Sequence, residues 1–567
     1  MFNSNNIKTI PLKILNSKSK TIFSAAFVLT LASLISKILG VLRDRLLAGR
    51  FGAGDELDIY YAAFRIPDLL FTLIVMGAIS SGFIPVFAQY FYKDRKEAWN
   101  LASNILNIIL LTLVIAAGFL MLFAPQIIQV IAPGFEGEKR EFTILLTRIM
   151  FLSPIILGIS SILSSILQYF HRFLAYSLAP IMYNVGIIIG ILIFVPILGL
   201  VGLGWGVVLG AFLHMLVQLP SAIYSGFRWK LIFNLRHQGL VKIWRLMIPR
   251  TIGLAGNQIN FVVITAIAST LSAGSISIFN LANNLQYVPI GIFGVAFAVA
   301  IFPVLSKSFA EKNKKSFSNS FSTTFSQLLF LVVPLSALFF ILRAHLVRIV
   351  LGTGRFDWID TRLTAAALGL FAVSIFAQSL IPLISRAFYA FHNTKTPVLV
   401  SLFCIGINII LSFFFVWVLK NQTCFTELFS KALKVSDIDD ISILGLPLAF
   451  SIASIINFFV LLKLFSLKIG WWKLKEIINS FLKVFLSTFL MIFLVYNLLY
   501  ILNLFLDTHT FFGIFIQATV SGLLGFIFYF LFMLILGFKQ AKRLFEKLKK
   551  IIGLSVFNGT NKINGSK

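Results

Sequence analysis

Charge is scarce in this chain. Asp, Glu, Lys and Arg together make up 12% of its 567 residues, about half the share of a soluble domain. So few charged groups cannot coat a composition that is 59% hydrophobic, with a mean hydropathy of +0.95. Cysteine is nearly absent. Cys404 and Cys424 stand twenty residues apart, roughly 30 Å along a helix, which excludes a disulfide framework. The six histidines show no metal-ligand spacing, and no nucleophile elbow, phosphate-binding glycine loop or zinc-protease motif occurs. No catalytic residue, metal site or cofactor is expected, and a nucleotide is not the direct driver. Short alternating segments of the barrel type are missing too. In their place are unbroken apolar runs of about twenty residues, the length one helix needs to cross a bilayer. An all-α polytopic membrane protein is the fold class these absences leave.

About fourteen spans are expected, near 22–47, 57–90, 98–124, 142–170, 174–198, 200–225, 240–271, 276–305, 318–345, 361–391, 395–419, 441–466, 477–504 and 511–537. The formal net charge of +28 comes from basic clusters between these runs, which points to membrane topology and contact with anionic lipid, not to nucleic acid. Lys93, Arg95 and Lys96, then Arg228, Lys230 and Arg236, then Lys312, Lys314 and Lys315 fall on one side, with Lys539, Lys542 and Arg543 at the end. Glu136, Glu138, Glu141, Asp437, Asp439 and Asp440 fall on the other. The positive-inside rule therefore expects both termini in the cytoplasm. The segment with Arg343, Arg348, Arg355 and Arg362 runs against the pattern. The polar, basic N-terminus lacks a small-residue cleavage site, so a retained first helix is expected and not a signal peptide.

The chain repeats itself. Ala53-Gly54, Ala62 and Pro85-Val86 match Ala273-Gly274, Ala282 and Pro303-Val304, and Phe170-His171 and Pro180 match Phe391-His392 and Pro397. Two lobes of six spans in parallel orientation follow, with substrate expected between them. The organisation expected is a cytoplasmic segment 1–21, an N-lobe 22–225, a C-lobe 226–466, two further helices in 467–537 and a basic cytoplasmic tail 538–567.

Ionisable groups at membrane depth are costly and face a bundle interior or a watery cavity. Lys37 and Asp44 lie seven apart on the first span, beside Arg43. On the second, Asp58, Tyr61, Arg65 and Asp68 follow a three-four spacing and form one stripe. Two readings stand: pairing near the membrane interface, or a polar wall for a substrate. Arginine suits a diphosphate, since its planar fork donates two parallel hydrogen bonds. The repeat mate of the second span carries Asn280, Asn284 and Tyr287 on one face, read either as interhelical hydrogen bonds or as the wall opposite Arg65. Gly202, Gly206 and Gly210 keep a four-residue interval, a close-packing seam.

The stretches S-K-I-L-G-V-L-R-D-R (36–45), F-G-A-G (51–54), D-I-Y-Y-A-A-F-R-I-P-D-L-L (58–70), G-A-I-S-S-G-F-I-P-V-F (77–87), A-P-G-F (132–135) and R-A-F-Y-A-F-H-N-T-K-T-P (386–397) resemble the MurJ (MviN) family of lipid II flippases. That family belongs to the multidrug/oligosaccharidyl-lipid/polysaccharide exporter superfamily. The resemblance implies fourteen helices in a bacterial cytoplasmic membrane and two lobes around a cationic cavity sized for a headgroup. It also implies that the last two helices border a groove for the polyprenyl tail. The substrate implied is lipid II, an undecaprenyl-diphosphate-linked disaccharide peptide, moved for cell wall synthesis amid membrane lipids, with no nucleic acid involved. Lys37, Arg43, Asp44, Asp58 and Arg65 match charged positions of the family motif. Phe71, Thr72, Met76, Asn284 and Tyr287 stand where some members carry charge, so a less charged cavity is expected. The carboxylate sodium site of some members has no counterpart, since the seventh, eleventh and twelfth spans hold no Asp or Glu. Rival readings are an exporter of another lipid-linked glycan or of a drug cation and, in a different class, a membrane glycosyltransferase.

Overall fold

In a computed structural model the described residues are 22–77, 82–421, 423–469 and 474–551, and these form helices, turns and loops without a strand. The expected N-terminal segment 1–21, part of the 77–87 motif and the end of the basic tail lie outside them. Helices dominate because each satisfies its own backbone without water.

The first half opens with α1 (Ile22–Phe51), which turns through Gly52 (φ 67°) into α2 (Asp55–Phe71). α2 runs on into a π-helical turn, Thr72–Met76. Then come α3 (Ile84–Lys93) and α4 (Arg95–Leu122), the latter capped by the Asp94 carboxylate, which accepts from the Lys96 N–H. The short α5 (Ala124–Ile131) precedes α6 (Gly137–Met150) and α7 (Leu152–Tyr169), which together make one long span. α8 (Phe173–Ile189), α9 (Val195–Leu198), α10 (Val201–Leu216) and α11 (Leu219–Tyr224) complete this half.

The second half restates the plan with α12 (Gln238–Ser269), α13 (Ser275–Pro289), α14 (Ala296–Ala310), α15 (Lys314–Ile341), α16 (Arg343–Val350), α17 (Trp358–Ala372), α18 (Ile375–Ala390) and α19 (Lys395–Lys420). Helix starts in α12, α13 and α15–α19 follow those in α1, α2 and α4–α8 by 216 to 223 residues. The π turn after α2 recurs after α13 as Ile290–Val295. α7 and α18 end in the same way. His171 and His392 take φ of 56° and 55°. The next N–H, of Arg172 or Asn393, reaches back five residues to the carbonyl of Leu167 or Phe388 at 2.9 and 3.1 Å, as in a Schellman turn. The internal repeat read from the sequence is thus a repeat of structure. It is interrupted by α20 (Cys424–Leu433), which has no counterpart before α10, and resumes with α21 (Gly445–Ile469). α22 (Leu474–Leu502), α23 (Phe511–Ile535) and α24 (Lys539–Ile551) lie beyond it.

Among the described residues twelve stretches are long and apolar enough to span a membrane, or thirteen if the bent pair α17–α18 is one span. The difference from the expected fourteen lies at α1. Its first side chains fall outside the description, and its second half carries Lys37, Arg43, Asp44, Arg45 and Arg50.

The chain divides into two compact units. One takes in everything up to Leu285 with Val350–Ala367 and Ser401–Ala453; the other comprises Gln286–Ile349, Leu368–Val400 and Ser454 onward. Within the first, Gly202, Gly206 and Gly210 form the seam that their spacing predicts, against α8 and the turn after it. A Cβ on Gly206 would stand 2.7 Å from the Gly190 Cα, and one on Gly186 would stand 2.3 Å from the Gly210 Cα. Within the second, α22 and α23 pack on α15 around Phe330, Val484, Met491, Val495 and Tyr529, whose hydroxyl donates to the Phe330 carbonyl at 2.9 Å.

Candidate functional site

Inside the first unit α2 lies along α12 and the start of α13, and its polar stripe faces them over its whole length. At one end Asp58 is buried and fully engaged. Its Oδ2 accepts from the Gly274 N–H at 2.8 Å, and its Oδ1 accepts from the Ser277 N–H at 2.8 Å and the Ser277 hydroxyl at 2.6 Å. A carboxylate from α2 thereby satisfies the free N–H groups that open α13 and meets the positive end of its dipole. Lys139 sits 3.6 Å from the same carboxylate and pairs with Asp55. Gly274 (φ 85°) makes the approach possible, because a Cβ there would fall 1.8 Å from the Ala53 carbonyl oxygen. The same end is stitched further by the Ala53 N–H, which donates to Asp360 at 2.8 Å, and by the Arg355 N–H, which donates to the Gly49 carbonyl at 2.8 Å.

Two turns along α2, Arg65 donates from Nε to the Thr265 hydroxyl at 2.9 Å and from Nη2 to the Asn280 side-chain oxygen, with its guanidinium 5.4 Å from the centre of the Phe261 ring. Both acceptors are neutral. One turn on, Asp68 accepts from Gln258 at 3.1 Å, and Gln258 also reaches the Thr72 hydroxyl at 3.0 Å.

A second network joins α1 to α8 and α13. Arg43 clasps Asp44 through Nε and Nη2 at 3.0 and 2.8 Å and reaches Asn184 at 3.4 Å. The other Asp44 oxygen accepts from the Asn284 amide at 3.0 Å. The Lys37 ammonium is buried and has no hydrogen-bond partner among the described residues. Of the residues singled out by sequence, Arg43, Asp44 and Asn284 thus form one cluster, Arg65 and Asn280 another, and Asp58 a latch apart from both. Tyr287 belongs to the other compact unit and is 56% exposed. A cavity of about 260 Å³ opens beside the first cluster, with Arg43, Phe64, Asp68, Ser153 and Tyr183 in its wall.

Thr265, Gln258, Asn184 and Tyr183 escaped the sequence reading. Gln258 and Thr265, seven apart on α12, gave a signal that could have been used: two turns of one face. On the same helix the Asn260 side-chain oxygen accepts from Asn408 at 2.8 Å. Among the described residues no three His, Cys, Asp or Glu side chains gather in a metal-holding group.

Repeated helical halves with ionic groups kept at membrane depth define a polytopic membrane transporter. An inward-facing multidrug MATE transporter of the MOP superfamily has the same fold, with a TM-score of 0.61 over 77% of this chain and 94% of that one at 14% identity. The family itself is narrower than the fold. The lipid II flippase MurJ model matches residues 47–519. A solved lipid II flippase MurJ, in an inward closed conformation, is 26% identical, covers 90% of this chain and 99% of its own, and gives a TM-score of 0.72. The probable lipid II flippase MurJ of Buchnera aphidicola subsp. Acyrthosiphon pisum is 30% identical over 446 residues, 76% of this chain and 81% of that protein. The lipid II flippase MurJ of Burkholderia cenocepacia is 28% identical over 395 residues, 67% of this chain and 76% of that protein. The chain belongs to the lipid II flippase MurJ family. It is a multi-pass protein of a bacterial inner membrane and a transporter, not an enzyme, as its motifs led us to expect.

Proposed function

We propose that this protein carries lipid II from the inner to the outer leaflet of the cytoplasmic membrane by alternating access, supplying cell wall synthesis. The observation that carries the reading, beyond family membership, is cationic charge held at membrane depth without full neutralisation: Lys37 has no hydrogen-bond partner among the described residues and Arg65 is bonded to neutral oxygens. Such groups keep donors and charge available to a diphosphate, and the bidentate fork of arginine matches it. Lys37, Arg43, Asp44, Arg65, Asn280, Asn284 and Tyr287 are the wall we assign to the headgroup, between lobes 22–225 and 226–466. Asp58 we assign to a gate at the outer end, which holds α2 to α13 until the lobes move. α22 and α23, with Phe485, Phe489, Phe493 and Phe512 exposed, make the groove for the prenyl tail. Binding shifts such an equilibrium only through unequal affinity for the two states.

The test is a strain depleted of its own lipid II flippase. This chain should restore growth and the appearance of lipid II in the outer leaflet, with headgroup crosslinkers labelling 37–72 and 280–290 and tail crosslinkers labelling 477–537. Failure to restore outer-leaflet lipid II in a correctly inserted protein would overturn the reading. We further propose cytoplasmic termini: a cysteine placed at Asp437 should react with an impermeant thiol reagent from outside and one at Lys314 should not, and the reverse result would invert the topology.

A further inference from the structure

α24 begins four residues after α23 ends, a reach of at most about 14 Å. It therefore starts where the last span leaves the hydrocarbon. The junction is fixed. Lys483 on α22 donates to the Leu536 carbonyl at 2.7 Å, and Gly537 (φ 69°) turns the chain out of the span. The roll of α24 is fixed as well. Phe538, just before it, stacks on Phe330 at 5.6 Å between ring centres, and Ala541 is fully buried.

With the helix held that way, the sequence KQAKRLFEKLKKI divides into two faces. Ala541, Leu544 and Phe545 fall within one arc at 100° per residue, and Lys539, Lys542 and Arg543 fall on the opposite arc with Glu546 alone among them. Beyond Ala541 the protein's own cover ends, and Leu544 and Phe545 are 39% and 49% exposed.

We propose that α24 lies in the membrane surface and docks on anionic phospholipid headgroups. Its apolar arc enters the acyl boundary and its basic arc stays among the phosphates. The partner is a lipid surface because the helix is tethered at headgroup depth, is too polar to span, and carries six basic residues to one acidic residue in its sequence. This placement needs only that α23 spans the membrane, not that the transported substrate is lipid II.

The test uses the full chain with Cys424→Ser and Leu544→Cys, labelled with an environment-sensitive fluorophore; Cys404 is buried and Cys424 exposed. The protein is placed in nanodiscs of phosphatidylcholine alone or mixed with phosphatidylglycerol. The expected result is blue-shifted emission, quenched by spin-labelled lipid, in the anionic discs. Neutral discs and high salt should weaken it. Changing Lys539, Lys542 and Arg543 together to glutamine should lower the docked-to-undocked ratio by on the order of a hundredfold, while the helix-forming tendency is kept. Water-like emission in both discs would overturn the proposal, as would equal quenching in both. A disulfide between two protomers at position 544 that shields the site whatever the lipid would hand the face to a second copy.

Discussion

α2 and α13 are one element written twice, and their difference lies in charge. Each follows an Ala-Gly turn, runs for 17 or 15 residues, and passes into a π turn. α2 places Asp58, Arg65 and Asp68 along its face, whereas α13 offers Asn280 and Asn284. The amides serve ions of both signs: Asn280 accepts from Arg65, and Asn284 donates to Asp44. A side-chain amide carries both donor and acceptor, so one neutral helix can face a cation on α2 and a carboxylate on α1 at once. The repeat keeps the backbone plan and lets the two copies divide the chemistry.

The charged helix should be the more sensitive of the two, and most of all at Arg65. Arg65→Ala should cost about 3 kcal/mol of headgroup binding, a flipping rate down roughly a hundredfold with membrane insertion intact. Arg65→Lys should rescue in part, keeping the charge and losing the fork. Full growth of Arg65→Ala in the depleted strain would remove Arg65 from the substrate path. Next in size is Asp58→Asn, which takes the charge from the acceptor of the Gly274 and Ser277 bonds and should cost about 1–3 kcal/mol. A cysteine at Ala53 should then label faster with a thiol reagent, and the melting temperature should fall. Unchanged labelling would mean that the latch does not hold this end closed. Asn280→Leu sharpens the contrast from the neutral side. It removes the oxygen opposite Arg65 and should slow flipping about tenfold, with little added effect in the Arg65→Ala background, as measured by a double-mutant cycle.

The smallest effect belongs to the loop before α21. Arg362 beside Asp437 holds that carboxylate down from 3.8 to about 2. A depressed carboxylate stabilises the fold above its ordinary pKa and loses the contribution as pH falls through its folded value. The contact should therefore be intact above about pH 4 and released near pH 2, with a spin label at Asp439 reporting the loosened loop. Mobility flat across that interval, or already high in Asp437→Asn and wild type alike, would discount the pair.

Much of this was legible in advance. Apolar runs set the spans, because backbone in lipid has few options, and matched turn residues such as Ala53-Gly54 with Ala273-Gly274 and Phe170-His171 with Phe391-His392 exposed the repeat. The stripe on α2 was legible too, since three-four spacing fixes a face. Its partners were not. Periodicity says which side chains share a face and nothing of which helix lies opposite, so Gln258, Thr265 and Asn184 came only with the structure. The separation of Asp58 from the other charges was hidden for the same reason: beside the Ser277 hydroxyl, its oxygens are satisfied by the backbone N–H groups of Gly274 and Ser277, which carry no residue signature. The π turns gave no warning either, for Thr72–Met76 contains neither proline nor glycine.

The glycine seam between α8 and α10 has a mechanical side. Two rods touching backbone to backbone at Gly186, Gly190, Gly206 and Gly210 leave no flexible side chains between them to slide or compress, and close-packed interiors shift in discrete steps instead of yielding gradually. The pair should act as a girder whose stiffness comes from contact area, not from charge. Any bending during a transport stroke is displaced to joints elsewhere, and the irregular π turns at Thr72–Met76 and Ile290–Val295 are where a hinge would form.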